Sequence, residues 1–351
     1  MQTRTLTAVA ALALSACGGG GYDTPMAPPP VVMPPAATLF NVSKLVGDTA
    51  GSATQTDAKL VNAWGIAFNP AGFVWVANNG SATSTLYDGN GVPQALVVAT
   101  PPAPTGIVYN GSADFRASPF LFATESGKIA AWSPTADRTN APAVVDGAAA
   151  QAVYKGLAIA TWNNASYLYA ADFHNNRVDV FDANFNKVAL TGAFRDPALP
   201  ANYAPFGIQA IGDRIYIAYA QRESGGDDEV AGAGLGAVDV FDTGGNLLKQ
   251  LAMGGALNAP WGMALAPSNF GTFSGKLLVG NFGDGKINAY DTASGAMAGT
   301  LSKADGGAIV IDGLWGIAFG PGVNSQPTNT LFFAAGPGDE THGLYGRIDM
   351  R

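Results

Sequence analysis

Asn62-Ala-Trp-Gly-Ile-Ala-Phe68 returns near the far end of the chain as Leu314-Trp-Gly-Ile-Ala-Phe319. Between them the same glycine-centred apolar phrase occurs as Pro104-Thr-Gly-Ile-Val-Tyr109, Tyr154-Lys-Gly-Leu-Ala-Ile159, Pro205-Phe-Gly-Ile-Gln-Ala210 and Pro260-Trp-Gly-Met-Ala-Leu265. Its glycines, Gly65, Gly106, Gly156, Gly207, Gly262 and Gly316, stand 41 to 55 residues apart. Such a period marks a propeller or a solenoid rather than an ordinary domain.

Each phrase is followed by a short aromatic and branched run, such as Phe73-Val-Trp-Val-Ala77, Tyr167-Leu-Tyr-Ala-Ala171 or Leu331-Phe-Phe-Ala-Ala335, with the composition of a strand. Turn signals come next, for example Asn79-Gly80, Asn175-Asn176 and Asp284-Gly285. A third strand ends on an aromatic-Asp pair in four repeats, Tyr87-Asp88, Phe181-Asp182, Phe241-Asp242 and Tyr290-Asp291, and a weaker fourth strand follows, as at Ala95-Leu-Val-Val98 and Val188-Ala-Leu190. Four antiparallel strands per repeat make a propeller blade, so the fold expected is an all-β, six-bladed β-propeller spanning residues 38–351. After Gly316 only three strands remain, the third at 343–348, while Leu39-Phe-Asn-Val-Ser-Lys-Leu45 precedes the first phrase unassigned. That N-terminal strand is expected to close the last blade and cover its edge.

The composition agrees. Charged residues are 13% of the chain, against about 25% in an average domain, and the 46 glycines suit tight turns and close backbone approaches. The net charge of −8, without a Lys/Arg run, lacks the footprint needed to neutralise nucleic-acid phosphates. A single cysteine, Cys17, leaves no disulfide framework and no Cys-based zinc site. It ends Leu14-Ser-Ala-Cys17, after an apolar stretch too short to span a bilayer. Residues 1–16 are accordingly expected to be a signal peptide, Cys17 an acylated first residue, and 17–37 a Gly/Pro-rich tether. This segment resembles the lipobox of bacterial lipoproteins, and Gly18, in place of Asp, resembles those sorted to the outer membrane.

In an up-and-down blade the innermost strand starts where the second strand ends, so both sets of residues meet at one face of the ring. The positions before the glycines hold Trp64, Thr105, Lys155, Phe206, Trp261 and Trp315. Two readings stand. These side chains either plug the channel, or line an open mouth where a flat ligand such as a sugar could stack. The polar residues Asn78, Glu125, Tyr219 and Asn281 at the second strand ends would then give direction to such a ligand. Lys155 is expected to pair with Asp172, or to be poised for chemistry. Asp172-Phe-His174 places Asp and His at alternate positions of a strand end, so both can project to one side. His174 and His342, the only histidines, are the acid-base candidates. Asp227-Asp228-Glu229, in the Gly-rich interruption between Ala220 and Leu235, is either a solvated loop or a site for Ca²⁺ or another divalent metal. No serine elbow, zincin helix, Walker loop or Rossmann fingerprint occurs.

Long phrases of the chain, among them Leu60-Val-Asn-Ala-Trp-Gly-Ile-Ala-Phe68, Tyr169-Ala-Ala-Asp-Phe-His-Asn175, Tyr203-Ala-Pro-Phe-Gly-Ile-Gln209 and Gly280-Asn-Phe-Gly-Asp-Gly285, resemble an uncharacterised family of exported bacterial propellers. Some members of that family end in a PEP-CTERM signal, which this chain lacks. More distantly the strand pattern is similar to NHL-repeat propellers and to the gluconolactonase and strictosidine-synthase-like group. Gluconolactonase-type enzymes place Asn and Asp before two repeat glycines as metal ligands; here Trp, Thr, Lys or Phe stands there. The resemblance therefore implies the scaffold without that metal chemistry.

The function expected first is a cell-envelope lipoprotein whose propeller binds a small molecule or glycan, or serves as a scaffold, at the aromatic mouth. The alternative is a hydrolase or lyase with His174 as acid-base, Asp172 orienting it and Lys155 or a loop-bound metal stabilising negative charge. A third is a platform for envelope proteins, in which case the mouth would be plugged. Labelling of an expressing bacterium with radioactive palmitate tests the anchor: the wild type should take up label and Cys17→Ala should not, and unchanged membrane retention of the variant would count against it.

Overall fold

A computed structural model describes residues 38–351; the expected signal peptide, Cys17 and the tether up to residue 37 lie outside the described residues. Each glycine phrase forms the innermost strand of a four-stranded antiparallel unit. In blade 1 the order is Ala63–Phe68, Val74–Asn78, Thr83–Tyr87 and Pro93–Ala99. Blade 6 runs Leu314–Phe319, Leu331–Ala335 and Leu344–Met350, and its outer strand is Leu39–Gly47, antiparallel to Leu344–Met350. The N-terminal strand thus closes the ring. Two short strands, Gln55–Thr56 and Ser302–Lys303, pair with its two ends in parallel and cover those parts of its edge.

The glycines owe their place to crowding at the centre. Each innermost strand packs on that of the next blade, and the sixth on the first. A Cβ on Gly65 would meet the Thr105 carbonyl oxygen at 2.4 Å, one on Gly207 the Trp261 oxygen at 2.0 Å, one on Gly262 the Trp315 oxygen at 2.4 Å, and one on Gly316 the Trp64 oxygen at 2.7 Å. Gly106 and Gly156 make the same approach, to the Leu157 nitrogen at 2.3 Å and the Phe206 oxygen at 3.0 Å. The pairing register also slips at this point in every blade, between Ala63 and Ile66, for example, and between Pro205 and Gly207. A bulge re-aims the side chain it carries, so the residue before each glycine is turned toward the axis.

Hydrophobic clusters fill the wedges between neighbouring blades. Trp75, Phe120 and Trp132 lie between blades 1 and 2, and Phe332, Tyr345 and Tyr87 between blades 6 and 1. The aromatic-Asp pairs have a local task. Asp182 Oδ1 accepts from the amides of Asn184 and Asn186, both at 2.9 Å, and Asp88 and Asp291 hold their own turns in the same way. The outer strands are less regular than the sequence suggests, since blade 3 ends in only Lys187–Val188.

Adding a methyl group at these approaches should destabilise in the order of the clashes. Gly207→Ala, 2.0 Å from a carbonyl oxygen, should lose about 3 kcal/mol or more as overpacked sites do, and Gly156→Ala clearly less, as read from urea unfolding midpoints.

Candidate functional site at one face of the ring

All six residues before the glycines are buried, from Thr105 and Phe206 to Trp261, the most open at 9% exposure. The bulges aim them at one axis, where the aromatic members meet. Trp64 and Trp315 lie 3.9 Å apart between ring centroids, Trp261 stands edge-on to Trp315 at 5.8 Å, and Phe206 does so at 5.6 Å. Phe173 packs on Phe206 at 5.3 Å, and Phe282 stacks on Trp315 at 4.1 Å. Of the two readings of these residues, the geometry is that of a plug. Thr105 is spent on the Tyr154 carbonyl at 2.7 Å, and the Trp261 indole donates to the Lys155 carbonyl at 2.9 Å. Below the plug the channel narrows to a chamber of about 30 Å³ at the glycine ring. It widens at the opposite face into a bowl of about 400 Å³ with mainly apolar walls, including Phe68, Ile211, Leu265 and Phe319, with Gln209 on its lining.

The four polar residues expected beside the aromatics do not act together. Asn78 is fully buried and donates to Thr83 and Thr85 at 3.1 and 3.0 Å; Asn281 donates to the Ala256 carbonyl at 2.8 Å and to Asp284 at 3.0 Å. Asn78 ties one strand to the next, and Asn281 ties its strand to turns. Tyr219 packs among the apolar residues between blades 3 and 4. Only Glu125 reaches the centre.

Glu125 takes Lys155, and this corrects the expected Lys155–Asp172 pair. Lys155 Nζ lies 2.6 Å from Glu125 Oε1 and 3.5 Å from Asp228 Oδ1, over the Trp64 ring at 5.3 Å and the Phe173 ring at 5.9 Å. Asp172 sits instead under the next turn, where it accepts from the Val153 amide at 3.2 Å and Asn175 Nδ2 at 2.8 Å and pairs with Arg177 at 3.2 Å. Asn79 adds a hydrogen bond to Glu125 at 2.8 Å, and Asn62 donates to Glu340 at 3.2 Å. Burial disfavours the Lys155 charge, but Glu125, Glu229 and Asp228 outweigh it and hold the ammonium above its ordinary value. Burial pushes Glu229 up to about 7, against the pull of Lys155, and raises Glu340 as well.

The acidic loop turns two of its three carboxylates to protein cations. Asp228 goes to Lys155, Glu229 is half-buried and close enough to feel its charge, and Asp227 Oδ1 meets His174 Nδ1 at 2.5 Å. Among the described residues no group of three or more His, Cys, Asp or Glu side chains is placed to hold a metal ion. Asp227, rather than Asp172, is therefore the partner of His174. His342 pairs with Asp48 at 2.9 Å, on the closing strand's loop.

His174 lines an open cleft of about 640 Å³ with Gln221, Arg222 and Asn202. Arg222 Nη1 donates to the His174 carbonyl, and its Nε is buried without a hydrogen-bond partner among the described residues. Arg222, Asn62 and Phe173 gave no signal as site residues in the sequence. They come from loops whose approach only the closed ring defines; Asn79, whose Asn-Gly context marks a turn, serves the turn and Glu125 together.

The arrangement is a six-bladed propeller with one mouth sealed by aromatics and overlaid by charge. No protein-family model matches the chain. The chain belongs to a family with two uncharacterised proteins of Acanthamoeba polyphaga mimivirus. One is 31% identical over 356 residues, covering 95% of this chain and 85% of the relative; the other is 32% identical over 338 residues, covering 89% and 86%. Among solved structures it is similar to virginiamycin B lyase from Staphylococcus aureus, at 13% identity and TM-score 0.52, over 90% of this chain and 100% of that one. A glucose dehydrogenase matches at 14% and TM-score 0.55, over 88% and 98%. The PQQ-bound aldose sugar dehydrogenase from Streptomyces coelicolor matches at 14% and 0.52, over 90% and 100%. At these identities the likeness is one of fold.

Glu229 ties the site to pH. Its value in the folded chain, about 7 against an ordinary 4.5, means that the folded state keeps a proton the unfolded chain releases. Its contribution to stability should therefore fall as pH rises from about 4.5 to 7 and level off above, by at most about 3 kcal/mol. Glu229→Gln should remove that part of the slope in urea midpoints measured from pH 4 to 9.

Proposed function

We propose that the protein is a hydrolase or lyase acting on a polar small molecule or glycan in the His174 cleft. The observation that carries this reading is that His174, held through Nδ1 by Asp227, shares one cleft with Arg222, whose Nε has no partner. An imidazole fixed at one nitrogen can exchange a proton at the other. The Arg222 guanidinium on the cleft wall can stabilise negative charge as it develops on a substrate oxygen. In a hydrolysis His174 would take a proton from water and return it to the leaving group; in an elimination it would take the proton from carbon. Lys155 and its carboxylates would form the wall behind this cleft, with Glu229 a second group that titrates near neutrality.

The fold neighbours include a lyase and sugar dehydrogenases, which supports an enzyme at the level of scaffold. The residues at this mouth do not fit an anionic quinone cofactor, since Glu125, Asp228, Glu229 and Glu340 surround the single buried Lys155. A binding or scaffolding role is the second reading; the aromatic plug removes the ligand site at the mouth and so favours a protein platform over small-molecule binding there. In either case the Leu14-Ser-Ala-Cys17 phrase would anchor the protein by lipid to an outer membrane, as in the bacterial lipoproteins whose lipobox it resembles.

A panel of esters, lactones and glycosides separates the two readings. Turnover should fall about 100-fold or more in His174→Ala, and to a similar degree in Arg222→Met, with circular dichroism unchanged. Saturable binding of a panel member without turnover would instead make the protein a binding module.

A further inference from the structure

Blades 3 and 4 carry the same third-strand phrase, Val178-Asp-Val-Phe-Asp182 and Val238-Asp-Val-Phe-Asp242. Their registers match as well. Asp172 lies opposite Arg177 and Phe181 opposite Lys187, as Tyr219 lies opposite Ala237 and Phe241 opposite Leu247. Asp179 and Asp239 are therefore counterparts, and both are buried, Asp239 at 0% exposure.

Their partners differ. Asp179 receives the Tyr154 hydroxyl at 3.0 Å, Arg177 Nε at 2.7 Å and Lys187 Nζ at 2.6 Å. In blade 4 the two cation positions hold Ala237 and Leu247, and Pro205 stands where the tyrosine was. Neither carboxyl oxygen of Asp239 has a hydrogen-bond partner among the described residues, and neither does the buried Tyr219 hydroxyl. A buried carboxyl without a partner is costly to ionise. Burial, helped by Asp196, accordingly pushes Asp239 up to about 8, and Asp239 and Asp196 both act on Tyr219.

A cavity of about 380 Å³ lies beside these groups, under the segment that leads from blade 3 to blade 4. Tyr219 and Asp196 line it, Phe194 and Tyr203 give it aromatic walls, the exposed Arg195 also lines it, and Asp239 lies outside the lining, fully buried. Asp196 is positioned by Gln250, whose Nε2 donates to it at 3.0 Å and which stands opposite Asp239 on the outer strand. The cavity shares only Ala201 with the His174 cleft.

We propose that this cavity binds an organic cation, an alkylammonium or guanidinium group, with Asp196 on its lining and Asp239 buried behind it as counter-charges and the Tyr219 hydroxyl as a hydrogen-bond acceptor. Blade 3 shows which chemistry this position takes, because there the chain's own lysine and arginine heads occupy it. Aromatic walls suit such a cation, and they suit the apolar stem that carries it.

Calorimetric titration of the full chain with agmatine, putrescine and Nα-acetyl-lysine methylamide tests the assignment. One cation should bind per chain, and Asp239→Asn should weaken it about 10-fold or more with circular dichroism unchanged. Leu247→Lys, which rebuilds the Lys187 arrangement, should abolish binding and raise Tm. Tighter binding of agmatine or putrescine identifies a free amine as the ligand, and tighter binding of the lysine derivative a basic peptide side chain. No saturable heat with any of the three, equal affinity in Asp239→Asn, or displacement of agmatine by an equal concentration of sodium would overturn the proposal.

Discussion

Six backbone-to-backbone approaches at the centre of the ring are the constraint on which the rest of the molecule depends. Every blade brings a glycine close to the next innermost strand, in five of the six blades so close that no Cβ fits between them, and in the Gly156 blade with no room to spare. The circle closes when Gly316 meets Trp64. With side chains at these positions the strands would stand further from the axis, and the wedge-filling clusters between blades would lose their dense packing. The same approaches account for the bulge beside each glycine and hence for the inward turn of the preceding side chain.

That inward turn converts a scaffold feature into a site. Large aromatic side chains sent to one axis satisfy themselves by packing on one another, each burial contributing on the order of 2–3 kcal/mol. Lys155 is the member that cannot. Its ammonium, at 2% residue exposure, needs a counter-charge, and blade 2, the 227–229 loop and the 339–342 turn all supply carboxylates toward it. A buried pair of this kind adds little net stability, since desolvation offsets attraction. Its effect is to draw the acidic loop over the mouth, which brings Asp227 to His174 as well.

Blades 3 and 4 show how a repeat can diverge without changing its backbone. The phrase Val-Asp-Val-Phe-Asp is kept at both places, but loss of the neighbouring lysine and arginine leaves one buried carboxyl paired and the other without a partner. The difference is invisible in the phrase itself and becomes visible once the strands are in register.

The blade count, the strands and the closing role of Leu39–Gly47 were legible because each rests on a local pattern that recurs: a glycine between apolar residues, a turn, an aromatic-Asp pair. The site was legible only as a set of residue types. Lys155, Glu125, His174 and the acidic loop stood out, yet the partner expected for both Lys155 and His174 was Asp172, within the same blade. The actual partners are 30 residues away for Lys155 and Glu125, and 53 for His174 and Asp227. By itself, then, the sequence determined the propeller, because crowding at the axis leaves a periodic trace in residue type. The tertiary structure alone decided that the aromatics form a plug and which carboxylate meets which cation, because those outcomes depend on loops from different blades converging over one axis, and convergence leaves no period to read.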